Sequence, residues 1–246
     1  MHASLPARSW QQLSGSSLKL LAVLSMTADH VSLHLLQYDA RFTEPLFTCH
    51  HYPVSLFLLL RCAGRLAFPL FAFLVTEGFT HTRSRRRYGL SLLLLALLSV
   101  VPWSLVHESQ WLMLKSQNVM FTLLLGFLAL CAVERWERGR LTAVQLSLLL
   151  LTVVASATAL RSDYGACGVT FILCLYVLRQ HRVLQAAVGF GLLPMKWLSA
   201  PAFIPMNMYN GRRGFIRGTV SKYAFYAYYP FHLLVLYHLR CYTMTA

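Results

Sequence analysis

The chain has 246 residues, of which 57% are hydrophobic and only 12% are charged. A soluble domain carries roughly a quarter charged residues, so eight acidic side chains are too few to cover a water-facing surface of this size. The net charge of +14 comes from basic residues in short clusters between apolar runs. That pattern is typical of membrane proteins with positive cytoplasmic loops and argues against a nucleic-acid-binding protein.

Apolar runs follow one another along the chain, and several approach the roughly 20 residues that cross a bilayer. After a polar tail at 1–17, the first run covers Leu18–Gln37. It has no small-residue cleavage pattern, so we expect a retained segment and not a signal peptide. The later runs are Val54–Phe79, Leu90–Val106, Val119–Val133, Leu141–Leu160, Gly165–Leu178, Val183–Leu193, Lys196–Tyr209 and Lys222–Leu239.

All of these runs must be helical, because unpaired backbone groups are not tolerated against lipid. The sequence therefore predicts an all-α, polytopic integral membrane helical bundle of about 8–9 hydrophobic segments. We expect one membrane domain over 18–240, followed by a short C-terminal tail at 241–246.

Loop charges predict the orientation of this bundle. Arginine is concentrated in alternate loops: 80–88, 134–140 and 179–182. By the positive-inside rule we expect these loops and the N-terminus to lie in the cytoplasm. The basic stretch at 206–222 agrees only if 183–209 forms two short helices broken near Pro194, which is the interpretation we adopt.

Asp29 and His30 stand together in the middle of the first segment. An ionisable residue at that depth costs roughly 2.5 kcal/mol or more, which makes it a candidate functional residue. Histidine is the side chain best suited to take and return a proton near neutral pH. The alternative is a packing pair, each member hydrogen-bonded to a neighbouring helix. His34 follows one turn after His30, but without an HExxH motif we expect no metal.

The second segment carries two arginines on one helix face, Arg61 and Arg65. Pro69 cannot donate to the carbonyl of Arg65, so we expect a kink with a freed carbonyl beside a guanidinium. A permanent charge there suits a phosphate or carboxylate ligand, and we favour this role for Arg65. Arg61 fits a snorkelling side chain or a structural ion pair equally well. Glu77 is a further candidate, with a salt bridge to the nearby arginines as the alternative.

The second half of the chain holds weaker candidates. Asn118 precedes a segment and fits a helix N-cap as well as a binding residue. Tyr164 marks a tight start to the sixth segment, for which packing is the ordinary explanation. Arg212 and Arg213 lie on a glycine-flanked turn, which suits either a phosphorylated cofactor or a topological charge cluster.

The last segment contains an aromatic group and a histidine. A membrane interface accounts for tyrosines such as Tyr229. It does not account for His232, which lies inside the apolar run and is our second candidate proton carrier. No GxGxxG or G-x-x-x-x-G-K-[ST] motif occurs, so a soluble nucleotide-binding fold is not predicted.

An ordered set of short motifs resembles the TraX family of conjugative-pilin N-acetyltransferases and their chromosomal relatives. The motifs are Asp29-His30, Gly64-Arg65 with Ala67-Phe68-Pro69-Leu70-Phe71, Glu77-Gly78-Phe79, Asn118 with Phe121-Thr122-Leu123-Leu124, Tyr164-Gly165, Tyr209-Asn210-Gly211, and Tyr229-Pro230 with His232-Leu233. No single motif is specific, but together they cover nearly all of the chain after residue 18. Many relatives carry acids where this chain has Val100 and Ser104, so those acids are expected to have only a supporting role.

The resemblance implies a membrane acyltransferase-like fold in the bacterial inner membrane. It also implies transfer of an acetyl group from cytoplasmic acetyl-CoA to an acceptor at that membrane. The acceptor would be a pilin-like peptide, as in N-terminal acetylation of conjugative pilin, or a cell-surface glycan or peptide. His30 would then be the general base, with Asp29 supporting its imidazolium and His232 as a second proton carrier. Arg65 would bind the CoA phosphates or a developing oxyanion, and the basic loops at 80–88 and 206–222 would attract CoA.

The remaining candidates for binding substrate or cofactor are Glu77, Asn118, Tyr164, Tyr229, Arg212 and Arg213. Two other functions stay open. A small proton-coupled transporter would use the same buried residues as a proton relay, although we find no internal repeat. A non-enzymatic assembly factor of a secretion or conjugation system would use them to hold its helices together.

Overall fold

The computed structural model of the chain describes residues 10–112, 115–193 and 196–245 and is mostly helical. The α-helices are α1 (Gly15–His34), α2 (Ala40–Thr43), α3 (Leu56–Gly64), α4 (Ala67–His81), α5 (Arg85–Leu98), α6 (Val100–Glu108), α7 (Val119–Glu137), α8 (Ala143–Ala159), α9 (Gly165–Val177), α10 (Arg182–Leu192), α11 (Lys196–Ser199), α12 (Phe203–Asn207) and α13 (Thr219–Thr245). Short 3₁₀ turns cover Leu36–Tyr38 and Ala200–Ala202. Every predicted apolar segment contains a helix.

Three helical stretches within the described residues are long and apolar enough to cross a membrane: Leu56–His81, Arg85–Glu108 and Val119–Glu137. Shorter apolar helices cover Ala143–Ala159, Gly165–Val177 and Arg182–Leu192. The chain is thus a helical membrane protein, as its composition predicts. The larger count of about 8–9 segments and the acyltransferase-like fold stay predictions.

A short β-hairpin departs from the all-α prediction. Strand β1 (Phe47–Cys49) pairs antiparallel with β2 (Tyr52–Val54), in the loop that follows α1. His50 and His51 form its tip, both with left-handed backbone (φ 46° and 69°). Sequence patterns missed the hairpin because such two-residue turns are normally signalled by Asn-Gly or Asp-Gly, not by two histidines.

The helix boundaries follow local chemistry. Ser14 caps α1, its side chain accepting from Ser17 N–H at 3.2 Å, so the helix begins before the predicted Leu18. The kink predicted at Arg65, four residues before Pro69, is present as a break, since α3 ends at Gly64 and α4 begins at Ala67. Helix α13 runs to Thr245, through most of the predicted C-terminal tail.

The chain divides into two compact units, one comprising residues up to Phe71 and from Trp197 onward, the other Ala72–Lys196. In the first unit, α1 packs against α3 and α13. In the second, α7 packs against α5, α8 and α9 around an apolar core. Large side chains there are almost fully buried: Phe79, Phe127, Leu130, Phe171, Ile172 and Leu175.

Candidate proton-transfer site in the first unit

Helix α3 runs antiparallel to α1, held by serine hydroxyls. Ser25 donates to the carbonyl of Ala63 at 2.6 Å, and Ser32 donates to the carbonyl of Phe57 at 2.9 Å. The partner number falls as the α1 number rises, which fixes the antiparallel direction. Small hydroxyl side chains let two helices approach closely where lipid gives no hydrophobic driving force.

Helix α13 runs parallel to α1 on another side. Thr27 bonds Tyr228, and one turn later His30 bonds His232. The Thr27 hydroxyl donates to the carbonyl of Val23 at 2.8 Å, so the Tyr228 hydroxyl is the donor to Thr27 Oγ1 at 2.7 Å. These bonds hold the Tyr228 ring parallel to that of His232, with the ring centres 5.1 Å apart.

The central feature is a hydrogen bond between two imidazoles, from His30 Nδ1 to His232 Nε2 at 2.7 Å. The ring planes lie within 3° of each other and the ring centres are 5.0 Å apart. Stacked rings cannot bring atoms nearer than about 3.5 Å, so these two rings meet edge to edge in a common plane. His232 is buried and His30 is half-buried.

The proton positions in this pair follow from its outer partner. His232 Nδ1 lies 3.0 Å from the carbonyl oxygen of Tyr228. A carbonyl only accepts, so Nδ1 carries the proton and Nε2 of the neutral ring is an acceptor. His30 Nδ1 must then donate to His232, which places the lone pair of neutral His30 on Nε2. This arrangement defines His30 Nε2 as the basic atom of the pair.

Tyr229 lies beside both histidines. It is 5% exposed, and its ring centre is 6.4 Å from that of His30 and 5.6 Å from that of His232. The ring of His34 lies 5.9 Å from that of His30 on the same helix face. Across the described part of the chain, no group of three or more His, Cys, Asp or Glu side chains is arranged to hold a metal ion.

Asp29 is held by α3. Arg61 Nη1 donates to Asp29 Oδ1 at 2.7 Å, and the two side chains are 22% and 19% exposed. Arg65, at the break between α3 and α4, also acts on this carboxylate electrostatically. Gly64 provides the space, because a Cβ at this position would clash with the Asp29 side chain. For Arg61 the structure therefore shows the ion-pair alternative, with a carboxylate on α1 as its partner.

The site does not lie at the middle of α1, and that prediction is wrong. His30 is within about 6 Å of the helix end at His34 and roughly 22 Å from its start at Gly15, at 1.5 Å per residue. The apolar run Leu18–Gln37 begins and ends three residues later than α1, so His30 is nearer the end of the helix than the run suggests. The histidine pair therefore lies near the C-terminal end of α1, away from the end at which the chain enters this helix.

Arg212 and Arg213 lie at the other end of α1. Their carbonyls accept from Gly15 N–H at 2.8 Å and Ser16 N–H at 3.0 Å, while their side chains are exposed. These bonds cap the first turn of α1 and keep the basic loop far from His30. The loop is on the same side as the start of α1, as required by the interpretation that breaks 183–209 into two helices.

Asn118 and Tyr164 share one end of the second unit, where Thr122 bonds Ser162 at 3.0 Å. Asn118 is fully buried; it accepts from Met120 N–H and donates to the carbonyl of Ala96, both at 3.1 Å. Those contacts make it the N-cap of α7. Tyr164 precedes α9 with left-handed backbone (φ 66°). Binding roles for both stay predictions.

Glu77 lies towards the opposite end of that unit, in the last turn of α4. His81 Nδ1 is 3.9 Å from its carboxylate. The neighbouring Arg85 stacks over the ring of Phe79 at 4.2 Å and bonds Glu134 near the end of α7. Glu77 is thus separated from Asn118 by most of the length of α7, and a role for it as a ligand stays a prediction.

Comparison with known proteins identifies the family of this chain. Residues 14–240 match the TraX protein family. The chain is also 30% identical over 251 aligned positions to a probable fimbrial assembly protein, FimC of serogroup H1, from Dichelobacter nodosus. That alignment covers 91% of this chain and 94% of the relative. No solved structure matches. The match over nearly the whole chain shows that this protein is a member of the TraX family.

Proposed function

We propose that this chain is a membrane-embedded acetyltransferase acting in pilus assembly or conjugation. It transfers the acetyl group of acetyl-CoA to an amine at the membrane, in the first place the N-terminal amine of a pilin-type subunit. Family membership and the fimbrial assembly relative support the pilus-related role. The acetyl transfer itself rests on the chemistry of the histidine pair.

The observation that carries the proposal is the His30–His232 hydrogen bond with its fixed donor order. An N-terminal amine has a pKa of about 8 and is mostly protonated at neutral pH, so it must lose a proton before it can attack. That first proton goes to water, and a half-buried imidazole with its lone pair on a defined nitrogen is suited to take the second proton, which the nitrogen releases as it attacks. A second imidazole in contact lets the pair share the charge that results.

The transfer step balances on these groups. The neutral amine nitrogen forms a bond to the thioester carbonyl carbon, and the N–H proton that it releases on attack moves to His30 Nε2. The carbon–sulfur bond then breaks, and the leaving thiolate takes a proton from the imidazolium to give the free thiol of CoA. We assign to Arg65, next to the helix break, the role of facing negative charge, either on the thioester oxygen in the transition state or on CoA.

The depth of the pair bears on the acceptor. His30 lies within about 6 Å of the end of α1. With the N-terminus in the cytoplasm, as the loop charges predict, this end faces the outer surface. An acceptor amine presented on the outer side would therefore be nearer His30 than one in the cytoplasm.

The test uses the purified full chain with acetyl-CoA labelled in the acetyl group and a membrane extract from its own cells. We expect label in a small polypeptide whose N-terminal residue gains one acetyl group by mass spectrometry, and no label with the His30→Gln variant. If no label moves while His30→Gln restores pili in cells lacking this protein, the chain is an assembly factor. Proton flux into liposomes in the absence of transfer would instead identify a transporter.

A further inference from the structure

An open, arginine-rich cavity of about 190 Å³ lies at the surface of the second unit, where α5 begins and α7 ends. Arg135, Arg138 and Arg140 are exposed at its rim. Its lining is dominated by charged side chains: Arg85, Cys131, Glu134, Arg135, Arg138 and Arg140. Four guanidinium groups against one carboxylate leave a net charge of +3. We infer that this cavity binds a phosphate group of an anionic ligand.

The backbone builds the cavity through the way α7 ends. Gly139 N–H donates to the carbonyl of Trp136 at 2.8 Å, and Arg140 N–H donates to that of Arg135 at 2.9 Å. These paired bonds are a Schellman motif, and they require the left-handed backbone of Gly139 (φ 68°). The chain therefore folds back over the last turn of α7 and brings Arg140 beside the arginines of that helix.

Glu134 organises two of the arginines. Arg85 donates from Nε and Nη2 to its two carboxylate oxygens at 3.1 and 2.8 Å, and Arg138 donates to Oε1 at 2.8 Å. Arg85 is also bound to the carbonyl of Thr82 at 2.6 Å. The Glu134 carboxylate thus fixes the guanidinium groups of Arg85 and Arg138, whose two positive charges exceed its one negative charge. Arg135 and Arg140 add the excess positive charge that an anion would neutralise.

The size of the cavity limits what enters it. Pockets that enclose a whole small molecule measure about 300–1,000 Å³, so a cavity of about 190 Å³ holds only the charged end of a larger ligand. Planar guanidinium groups match phosphate oxygens through paired hydrogen bonds. Loop arginines that serve only topology need no shared carboxylate and no cavity, whereas here both are present.

Two ligands present this chemistry at a helix end in a membrane protein. One is the nucleotide of CoA, and that assignment rests on the proposed function. The other is the headgroup of an anionic lipid, which does not. The phosphate site itself depends on neither source.

The experiment measures binding to the purified full chain, separately from turnover. The probes are CoA, and nanodiscs of phosphatidylglycerol compared with phosphatidylcholine. Arg135→Gln combined with Arg140→Gln should raise the Kd of the true ligand at least about 10-fold, because charge-assisted hydrogen bonds are lost. The matched control is Arg161→Gln, an exposed charge at the other end of α7, which should leave the Kd within about twofold.

Gly139→Val gives an independent arm, since it keeps every arginine but disfavours the left-handed turn and should also weaken binding. Loss of CoA binding in both arms identifies a donor site, and loss of phosphatidylglycerol preference alone identifies a lipid site. Unchanged binding of both probes in the arginine variant, or no binding by the parent chain, overturns the inference. Phosphate binding without acetyl transfer would refute only the proposed enzymatic function.

Discussion

The two compact units differ in where their polar side chains lie and in how these side chains are paired. In the first, charged and titratable groups lie within helices and are paired across helices, as in Asp29 with Arg61 and His30 with His232. In the second, the body of α7 is apolar and polar contacts gather at its two ends, around Asn118 and around Glu134.

The difference separates two uses of polarity in a membrane protein. Polar groups at helix ends are close to water, so they can cap helices, set topology or bind a dissolved ligand at small cost. Polar groups within helices are expensive, and a sequence that retains them uses them for a site or for helix association. The first unit is therefore where chemistry is expected, and the following predictions test that distinction in order of decreasing effect.

The largest expected effect is the presence or absence of labelling, and it tests which side of the membrane the histidine pair of the first unit faces. Cys49 lies in the hairpin at the end of α1 near His30, and the Arg212–Arg213 turn lies at the other end. In intact cells an impermeant maleimide should label Cys49 and not position 213 of an Arg213→Cys variant, with Cys167 and Cys241 replaced by serine. Labelling at 213 before permeabilisation would reverse the predicted orientation.

The next effect concerns the histidine pair. His30→Ala should lower acetyl transfer by about 10²–10⁴-fold, the usual contribution of a general base. His232→Gln should also slow transfer, and the double variant should be little worse than His30→Ala, because the two rings act as one unit. Initial rates with labelled acetyl-CoA measure this, with size-exclusion profiles as the folding control. Parent rates in a well-folded His30→Ala protein would place the base elsewhere.

The sequence predicts those features of the site that depend on residues close together in the chain. The apolar runs, the break at Pro69 and the Asn118 cap follow from neighbouring residues, and each is present in the structure. The His30–His232 bond joins residues 202 positions apart and exists only because α1 and α13 pack in parallel. No spacing in one sequence records that packing.

Charge pairing across helices is hidden for the same reason. Arg61 and Asp29 are each visible as charges in apolar runs, but their contact depends on the close approach that Gly64 allows. For the arginines around Arg140 the sequence predicts only topology, although a glycine directly after the last turn of α7 is a recognisable helix-end signal. A Schellman turn at Gly139 predicts that Arg140 folds back towards the last turn of α7.

A third prediction concerns the stability of the Asp29–Arg61 pair. Arg61→Met should lower the free energy of unfolding by about 3 kcal/mol, because it leaves a carboxylate unpaired within the helices. Adding Asp29→Asn should recover part of the loss, with a coupling of about 1–3 kcal/mol. Reversible unfolding in mixed detergent measures both. Strictly additive losses would mean that the ion pair contributes nothing as a pair.

A fourth prediction uses two glycines. Gly64→Ala should destabilise the protein by about 1–3 kcal/mol, since the added methyl group clashes with Asp29 and forces α1 and α3 apart. Gly191→Ala, in helix α10 with open space around it, should be neutral or stabilising by up to about 1 kcal/mol. The same unfolding assay compares them. Equal effects would show that close approach of α1 and α3 is not what Gly64 provides.

The smallest expected effect separates the two roles of Asn118. Asn118→Ala removes the α7 cap and leaves the buried carbonyl of Ala96 without this donor, so we expect a loss of about 1–2 kcal/mol in unfolding free energy. Asn118→Ser keeps a capping oxygen and should recover about half of that loss. If Asn118 is only structural, the specific activity of folded Asn118→Ser protein equals that of the parent. A stable Asn118→Ser protein with a raised KM for acetyl-CoA would instead make Asn118 a binding residue, and would show that an end of the second unit takes part in the chemistry.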